Sequence, residues 1–318
     1  MIPSKNSLIP KSRGRVLDQD SESFGRLREA PSRFSDRQKL VNALSEDGYL
    51  FIRDMFSRQD VLNVRGEICK AMAEMELLDS SSPIIDCVPA PIVEGNSSSK
   101  GSTTMDEIPE KCQSMKELLY GASTKEFFEK LFGAPVRPYD LTWFRGVAPG
   151  FGTVPHCDIV YMGRGTHDLL TCWVPYGDIS LEMGGLMILE GSMNDEVQTR
   201  IKNYLSRDVD EYCQNRPLPE HVDLNSTIDN KVWNGWLAAN PVTLRNNLGG
   251  RWLTAEYRAG DALIFSCELV HASLDNQSTA FRLSSDCRYQ RADQPIDERF
   301  VGDGLLGHVG SAKRGRVC

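Results

Sequence analysis

Residues 271–289, with the sequence HASLDNQSTAFRLSSDCRY, contain a histidine, a polar stretch rich in turn-forming residues, and a run typical of a β-strand from Arg282 onward. Many short strands at close intervals are typical of an antiparallel sandwich or barrel. Comparable short runs separated by turn residues recur upstream, at 139–147, 159–162, 169–175, 186–190 and 262–267. We therefore predict a mainly β fold that begins near residue 136.

The first half of the chain has helical periodicity instead. Ser35 is predicted to cap a helix that ends at Gly48, and a short strand is predicted at 49–52. Ser57 is predicted to cap a second helix. A third helical region covers about 108–132, where apolar residues recur at helical spacing. Helices are therefore expected to flank the predicted barrel.

Three segments lack regular patterning. Residues 1–34 mix serine, proline and charged residues, which predicts a mostly disordered tail. Residues 79–104 are rich in serine, proline and glycine, and form a candidate lid. Residues 194–253 interrupt the strand pattern as an insert that opens with a helix. We expect a single domain over 35–318, divided into a helical flank with the lid loop at 35–135 and a barrel with the insert at 136–292.

Composition excludes several classes of protein. The 318 residues carry a net charge of -8 with a pI of about 5.3, so the overall field repels a phosphate backbone and argues against a nucleic-acid partner. The longest apolar stretches are much shorter than the roughly 18 residues that a bilayer span needs. Nine cysteines form no CxxC pair, which argues against a disulfide framework. We expect a cytoplasmic protein without a membrane partner.

Two short motifs predict a metal site. His156 and Asp158 are two positions apart, so in an extended segment both side chains point to one face and can reach one ion. Alone this pattern is weak, because about 0.7 His-x-acid matches are expected by chance in such a chain. His271 supplies a third ligand from another strand. Two imidazoles and one carboxylate leave the opposite side of an iron open, as in non-heme iron(II) oxygenases.

A candidate anion site follows the third ligand. Arg282 lies eleven positions beyond His271 and can return on the next antiparallel strand, with Ser284 on the same face. A guanidinium and a hydroxyl suit the distal carboxylate of a chelating cosubstrate.

At this point the sequence resembles the phytanoyl-CoA dioxygenase-like family of iron(II)- and 2-oxoglutarate-dependent dioxygenases. The resemblance spans roughly 36–292, except for the candidate lid and the insert. It departs from the family pattern at Glu190 and Met193, neither of which touches the predicted metal site. The matching stretches are Glu46 to Leu50, His156-Cys157-Asp158, Trp173 within Thr171 to Val174, Gly184 to Ser192, Tyr257 to Asp261 and His271 to Tyr289.

The resemblance implies a fold, a cofactor set and residue roles. The implied fold is a double-stranded β-helix, a cupin-like jelly-roll barrel with flanking helices. It implies that His156, Asp158 and His271 bind Fe(II), and that O2 and 2-oxoglutarate are cosubstrates. Arg282, aided by Ser284 and Ser273, would hold the C5 carboxylate of 2-oxoglutarate, with Trp173 packed beside it. No catalytic residue beyond the metal ligands is implied.

The expected function is oxidation of a small hydrophobic organic substrate, with succinate and CO2 formed from 2-oxoglutarate. Hydroxylation, desaturation and rearrangement remain open, and a specialised metabolite suits the unmatched insert. The alternatives are a non-catalytic barrel that binds a metabolite or a partner protein, and a cupin-like iron enzyme that does not use 2-oxoglutarate. The expected partner is a small molecule, and a homodimer is left open.

The remaining aromatic and histidine residues have plainer interpretations. His167 beside Asp168 is expected to be a polar surface pair rather than a ligand. Packing is expected for the three insert tryptophans, although they could also line a pocket. For the candidate lid, deleting 97–102 is predicted to lower the product formed per 2-oxoglutarate consumed. The alternative is an idle surface loop, for which the ratio would not change. The three tryptophans of the insert are Trp233, Trp236 and Trp252.

Overall fold

Two β-sheets face each other in the computed structural model, which describes residues 9–91, 102–103, 105, 107–210 and 235–302. The strands are β1 (Lys11–Ser12), β2 (Arg15–Val16), β3 (Phe24–Arg26), β4 (Tyr49–Ile52), β5 (Ser102–Thr103), β6 (Val136–Pro138), β7 (Trp143–Val147), β8 (Leu169–Pro175), β9 (Leu186–Leu189), β10 (Trp252–Thr254), β11 (Ala262–Ser266), β12 (His271–Ser273) and β13 (Arg282–Arg291). The helices are α1 (Arg37–Asp47), α2 (Arg58–Glu74), α3 (Ile108–Lys111), α4 (Gln113–Tyr120), α5 (Ala122–Phe132), α6 (Ile159–Met162), α7 (Asp195–Leu205) and α8 (Pro241–Leu248), with 3-10 turns at Ile84–Asp86 and Glu298–Phe300.

The larger sheet has the strand order β4-β11-β8-β13-β7-β5, with β6 also paired to β13, and all of its pairings are antiparallel. The smaller sheet has the order β12-β9-β10-β3, in which β3 joins β10 in parallel. Two stacked, largely antiparallel sheets with flanking helices form a jelly-roll barrel, so the predicted fold class is confirmed.

Side-chain alternation separates two cores on either side of the larger sheet. In β13, Leu283 and Cys287 point outward and pack with helices α1, α2, α4 and α5. In β8, Trp173 points inward and packs against Ile188 and Leu253 of the smaller sheet. The same alternation turns Arg282 and the other even-numbered residues of β13 inward, so that this central strand lines the barrel with polar groups.

Local signals account for the helix ends. Ser57 caps α2 as predicted, and its hydroxyl accepts the Asp60 N–H. The cap of α1 is Asp36 rather than the predicted Ser35. Gly48 ends α1 in the left-handed region, with φ of 77°, which glycine adopts without steric cost.

The strand predicted at Ile159–Met162 is wrong, because these residues form the short helix α6. A four-residue apolar run has too little periodicity to distinguish a strand from a buried helical turn. The difference matters because α6 begins directly after Asp158.

The prediction of a disordered tail is wrong for residues 9–34, which pack on the barrel. β3 extends the smaller sheet, and Leu17 is buried. The β1–β2 hairpin is held by the Asp275 carboxylate, which accepts the backbone N–H groups of Arg13 and Gly14 at 2.8 and 2.7 Å. This polar stretch is held in place by hydrogen bonds to residues that are distant in sequence, and its local composition does not reveal them. Residues 1–8 lie outside the described residues.

Parts of the other two unmatched segments are also described. Residues 79–91 contain a 3-10 turn and buried Cys87, whose Sγ is 2.8 Å from that of Cys69 in α2. Residues 92–101 and 104 of the candidate lid, including most of the stretch 97–102 named for deletion, lie outside the described residues. Helix α7 opens the insert as predicted, and residues 211–234 are not described. Within the described ranges, none of the helices has both the length and the apolar character that crossing a membrane requires.

Candidate active site

The three predicted metal ligands come together between the two sheets. His156 and His271 face each other in an isolated antiparallel bridge, where each backbone N–H donates to the other's carbonyl at 2.9 and 3.0 Å. Asp158 lies immediately before α6 and has helical dihedral angles. The two residues of the His-x-Asp motif therefore converge through a strand-to-helix junction, and not through a continuous strand as the spacing suggested.

The donor atoms have metal-site geometry. The Nε2 atoms of His156 and His271 each lie 3.7 Å from Oδ1 of Asp158, and one ligand atom from each residue falls within 4.8 Å of the others. All three residues are buried. Distances of this size between ligand atoms fit one ion bound at about 2.0–2.2 Å from each donor.

Hydrogen bonds orient each ligand. Nδ1 of His156 donates to the Val154 carbonyl at 2.8 Å, and Nδ1 of His271 donates to the Leu269 carbonyl at 3.0 Å. Because a carbonyl only accepts, both neutral rings carry their proton on Nδ1 and present the Nε2 lone pair to the centre.

The Asp158 carboxylate is oriented in the same way. Its Oδ2 accepts the hydroxyl proton of Thr171 at 2.5 Å and a guanidinium proton of Arg288 at 3.0 Å. Oδ1 faces the two histidines. The carboxylate is therefore turned so that one oxygen is left for a metal.

The protonation states suit cation binding. Burial lowers the pKa of His156 to about 3, with a further contribution from neighbouring His271, and burial also lowers the pKa of His271. Burial opposes ionisation of Asp158, but the Arg288 guanidinium, favourable electrostatic interactions with the two imidazoles and the Thr171 hydrogen bond outweigh it and hold the pKa of Asp158 below the usual range. At neutral pH the triad offers two neutral imidazoles and one carboxylate.

Arg282 is fully buried and largely without partners. Its Nη1 donates to the Gly184 carbonyl at 2.7 Å, whereas Nε and Nη2 have no hydrogen-bond partner among the described residues. Burial is the main cause that lowers its pKa to about 10, so it stays cationic at neutral pH. A buried cation with unpaired donors is stabilised by an anion. The free Nε and Nη2 groups of Arg282 therefore fit the carboxylate of 2-oxoglutarate.

The other predicted cosubstrate residues, Ser284, Trp173 and Ser273, are also buried. Within the described chain, the Ser284 hydroxyl and the Trp173 indole N–H are also buried without partners. The Trp173 ring packs edge-on against Tyr257, with ring centroids 4.7 Å apart. Ser273 differs, because its Oγ accepts the Thr153 N–H at 2.7 Å and so helps to hold the chain that leads to His156.

Sequence reasoning missed three polar residues at the site: Thr171, Arg145 and Arg288. Arg288 also stacks on Trp143, with its guanidinium carbon 3.8 Å from the ring centroid. A signal was available, because the even-numbered positions of β13 read Arg-Ser-Asp-Arg-Gln from 282 to 290 and all of them are buried. Polar residues at alternate positions of a central strand indicate that this face of the strand lines a binding site.

The remaining candidates that the structure describes do not belong to the metal-ligand cluster. His167 is exposed and its Nδ1 is 3.0 Å from Glu268, so the surface-pair interpretation is confirmed, with Glu268 as the partner instead of Asp168. Trp252 is buried in β10 and its indole N–H donates to the Pro241 carbonyl, which confirms packing. Trp236 is half-buried and contacts the Arg13 guanidinium at 5.4 Å. Trp233 lies outside the described residues.

Fold and site together define the class of jelly-roll oxygenases that depend on iron(II) and 2-oxoglutarate. Residues 44–284, most of the chain, match the family model for phytanoyl-CoA dioxygenase. The chain belongs to the phytanoyl-CoA dioxygenase family and is a 2-oxoglutarate-dependent dioxygenase. A search of curated proteins gave no match.

Solved structures with the same fold include three informative examples. The carbocyclase SnoK from nogalamycin biosynthesis, described as non-heme and alpha-ketoglutarate dependent, is 18% identical with a TM-score of 0.53 and covers 88% of this chain and 93% of its own. The epimerase SnoN with Fe3+, alpha-ketoglutarate and nogalamycin RO is 16% identical, with a TM-score of 0.51 and coverage of 81% and 85%. EctD from S. alaskensis with 2-oxoglutarate and 5-hydroxyectoine is 20% identical, with a TM-score of 0.51 and coverage of 91% and 89%. At these identities the similarity establishes the fold.

Proposed function

We propose that this protein oxidises a small, largely hydrophobic organic molecule at a C–H bond, as a step in the formation of a specialised metabolite. The observation that carries the proposal is the pairing of the buried His-Asp-His cluster with Arg282, whose free donors are buried in the same barrel. Two of the structures with this fold, SnoN and SnoK, are described as enzymes of nogalamycin biosynthesis.

Each residue has a defined task in this proposal. His156, Asp158 and His271 would hold iron(II) and leave its opposite side open. Iron(II), 2-oxoglutarate and O2 supply an oxidation of C–H bonds in which 2-oxoglutarate loses CO2 and becomes succinate. Arg282 and Ser284 would bind the distal carboxylate of 2-oxoglutarate, and Trp173 would limit its movement.

The barrel also excludes water from the site. The three metal-binding residues are 2% to 6% exposed, and Trp173 is 1% exposed. A dry environment strengthens the charge-assisted contacts to the cosubstrate and protects a reactive centre from solvent.

The proposal is tested with Asp158→Ala, Arg282→Ala and Arg282→Lys, and with Asp168→Ala as a matched control on the surface. We expect Asp158→Ala to lose most metal binding in a titration with Zn(II), and the control to behave as wild type. Arg282→Ala should raise the 2-oxoglutarate concentration needed for half-saturation at least tenfold, with partial recovery in Arg282→Lys. Substrate-dependent succinate release, screened over a metabolite panel, should be lost in Asp158→Ala. Wild-type turnover in Asp158→Ala would contradict the proposed site.

A further inference from the structure

A second cationic side chain faces the barrel interior beside the proposed cosubstrate site. Arg145 lies in β7, opposite Ser284 of β13 in the strand register. Its neighbour Phe144 points outward into the helix-covered core, so alternation turns Arg145 inward. Arg145 has no task in metal or cosubstrate binding as described above.

The contacts of Arg145 leave part of its guanidinium available. Nε and Nη2 lie 3.2 and 3.1 Å from one oxygen of Asp286, and the guanidinium makes no other hydrogen bond within the described ranges. Its side chain is 23% exposed, whereas Arg282 and Arg288 are essentially inaccessible. Of the three arginines on this inner face, Arg145 is thus the one that a substrate can reach.

The negative charge of Asp286 is shared between Arg145 and Arg288, so it does not fully neutralise Arg145. The same carboxylate oxygen is 3.7 Å from Nη2 of Arg288, which also holds Asp158. The three inward-facing guanidinium groups of β7 and β13, Arg145, Arg282 and Arg288, therefore share two carboxylates, Asp158 and Asp286, which leaves one positive charge in excess. Iron(II) and dianionic 2-oxoglutarate cancel each other, so the loaded site keeps this excess. An uncompensated charge in a largely dry site is costly, and an anionic ligand would relieve it.

We propose that Arg145 binds an anionic group of the substrate, most simply a carboxylate, so that the substrate class is an apolar organic acid. The inference rests on the proposed function, because it assumes that Arg282 is occupied by 2-oxoglutarate. Arg145 would fix the substrate by one end and leave the apolar remainder to place a C–H bond near the metal. Its role is substrate positioning and selectivity.

The test uses the full chain loaded with Zn(II), a redox-inert stand-in for iron, and 2-oxoglutarate. The probes are three acid and amide pairs of increasing size: benzoic acid with benzamide, 1-naphthoic acid with 1-naphthamide, and abietic acid with its primary amide. Affinities are read from the shift in melting temperature with probe concentration. We expect at least one acid to bind about tenfold or more tightly than its amide, since one charge-assisted contact is worth that factor.

Variants assign the preference to Arg145. Arg145→Gln should abolish the preference for the acid and Arg145→Lys should keep part of it, while affinity for 2-oxoglutarate stays within about threefold of wild type. Arg58→Gln is the matched control, because Arg58 forms a similar ion pair with Asp178 on the surface. It should behave as wild type.

Three results would overturn the inference. These are the absence of acid preference in every pair, an unchanged preference in Arg145→Gln, and a loss of 2-oxoglutarate binding in Arg145→Gln as severe as in Arg282→Gln. The last result would make Arg145 a cosubstrate ligand. A failure of the wild-type protein with Zn(II) to bind 2-oxoglutarate would instead contradict the proposed function itself.

Discussion

The two oxygens of the Asp158 carboxylate have different surroundings. Oδ1 faces the two histidines, whereas Oδ2 is held by Thr171 and Arg288. Partners behind a ligand fix its orientation and often change metal affinity by one to two orders of magnitude. We therefore expect Arg288 to act as a positioning residue through its contact with Asp158.

Replacement of Arg288 tests this role. We expect Arg288→Met to lower Zn(II) affinity about 10-fold to 100-fold, because methionine keeps much of the volume but removes the charge and hydrogen bond that hold Oδ2. The pH at which metal is released should rise, since loss of the guanidinium raises the pKa of Asp158. Arg291→Met, in the same strand but paired with exposed Asp293, is the control. Unchanged metal affinity and release pH would show that Arg288 serves packing alone.

At the level of elements, β12 supports two structures at once. His271 opens this strand at the metal site, while Asp275 just beyond its end binds the turn of the β1–β2 hairpin. Ser12 of the hairpin donates its hydroxyl proton to the Ser273 carbonyl at 2.8 Å. The N-terminal hairpin is thus attached to the same short segment that carries a metal-binding residue.

This attachment can be tested by proteolysis. We expect Asp275→Ala to release the hairpin, because two backbone N–H groups lose their charged acceptor, and trypsin should then cleave after Arg13 and Arg15 several-fold faster. Asp293→Ala, which removes an exposed carboxylate elsewhere, should leave the cleavage rate unchanged. Equal rates in Asp275→Ala and wild type would show that other contacts hold the hairpin.

At the scale of the whole molecule, the metal site makes stability depend on pH. In the metal-free protein, burial lowers the pKa of His156 to about 3 and also lowers that of His271. In the unfolded chain both residues titrate near the ordinary value of about 6.5. As the pH falls below this value, the unfolded state binds more protons than the folded state, so folding stability decreases.

The expected decrease is measurable by denaturant unfolding of the metal-free protein. Between pH 6.5 and 5.5, His156 should cost about 1 kcal/mol of unfolding free energy, and His271 should add to the loss in the same direction. His156→Gln should therefore reduce the loss over this interval by about that amount. The same loss in His156→Gln and wild type would show that His156 does not contribute to the pH dependence.

Much of the architecture was predictable because it depends on local signals. Short apolar runs between turn residues predicted the strands, and Ser57 and Gly48 marked helix ends through hydrogen bonds and backbone conformations that involve only a few neighbouring residues. The boundaries that failed were also local ambiguities. Ile159–Met162 is too short for its period to be read, and the cap of α1 was displaced by one residue.

The site also has a part that the sequence predicted and a part that only the tertiary structure shows. His156, Asp158, His271 and Arg282 could be named from their spacing and from the family resemblance, because alternation along strands relates sequence separation to side-chain direction. Sequence alone could not show that the donor atoms lie within 4.8 Å, or that Asp158 reaches them from a helix start. The Arg288 contact joins residues 130 positions apart, and the Asp275 contact to the N-terminal hairpin joins residues more than 260 apart. Contacts of this kind depend on how the two sheets close on each other, since a hydrogen bond needs atoms within about 3 Å and nothing in a local pattern specifies that distance.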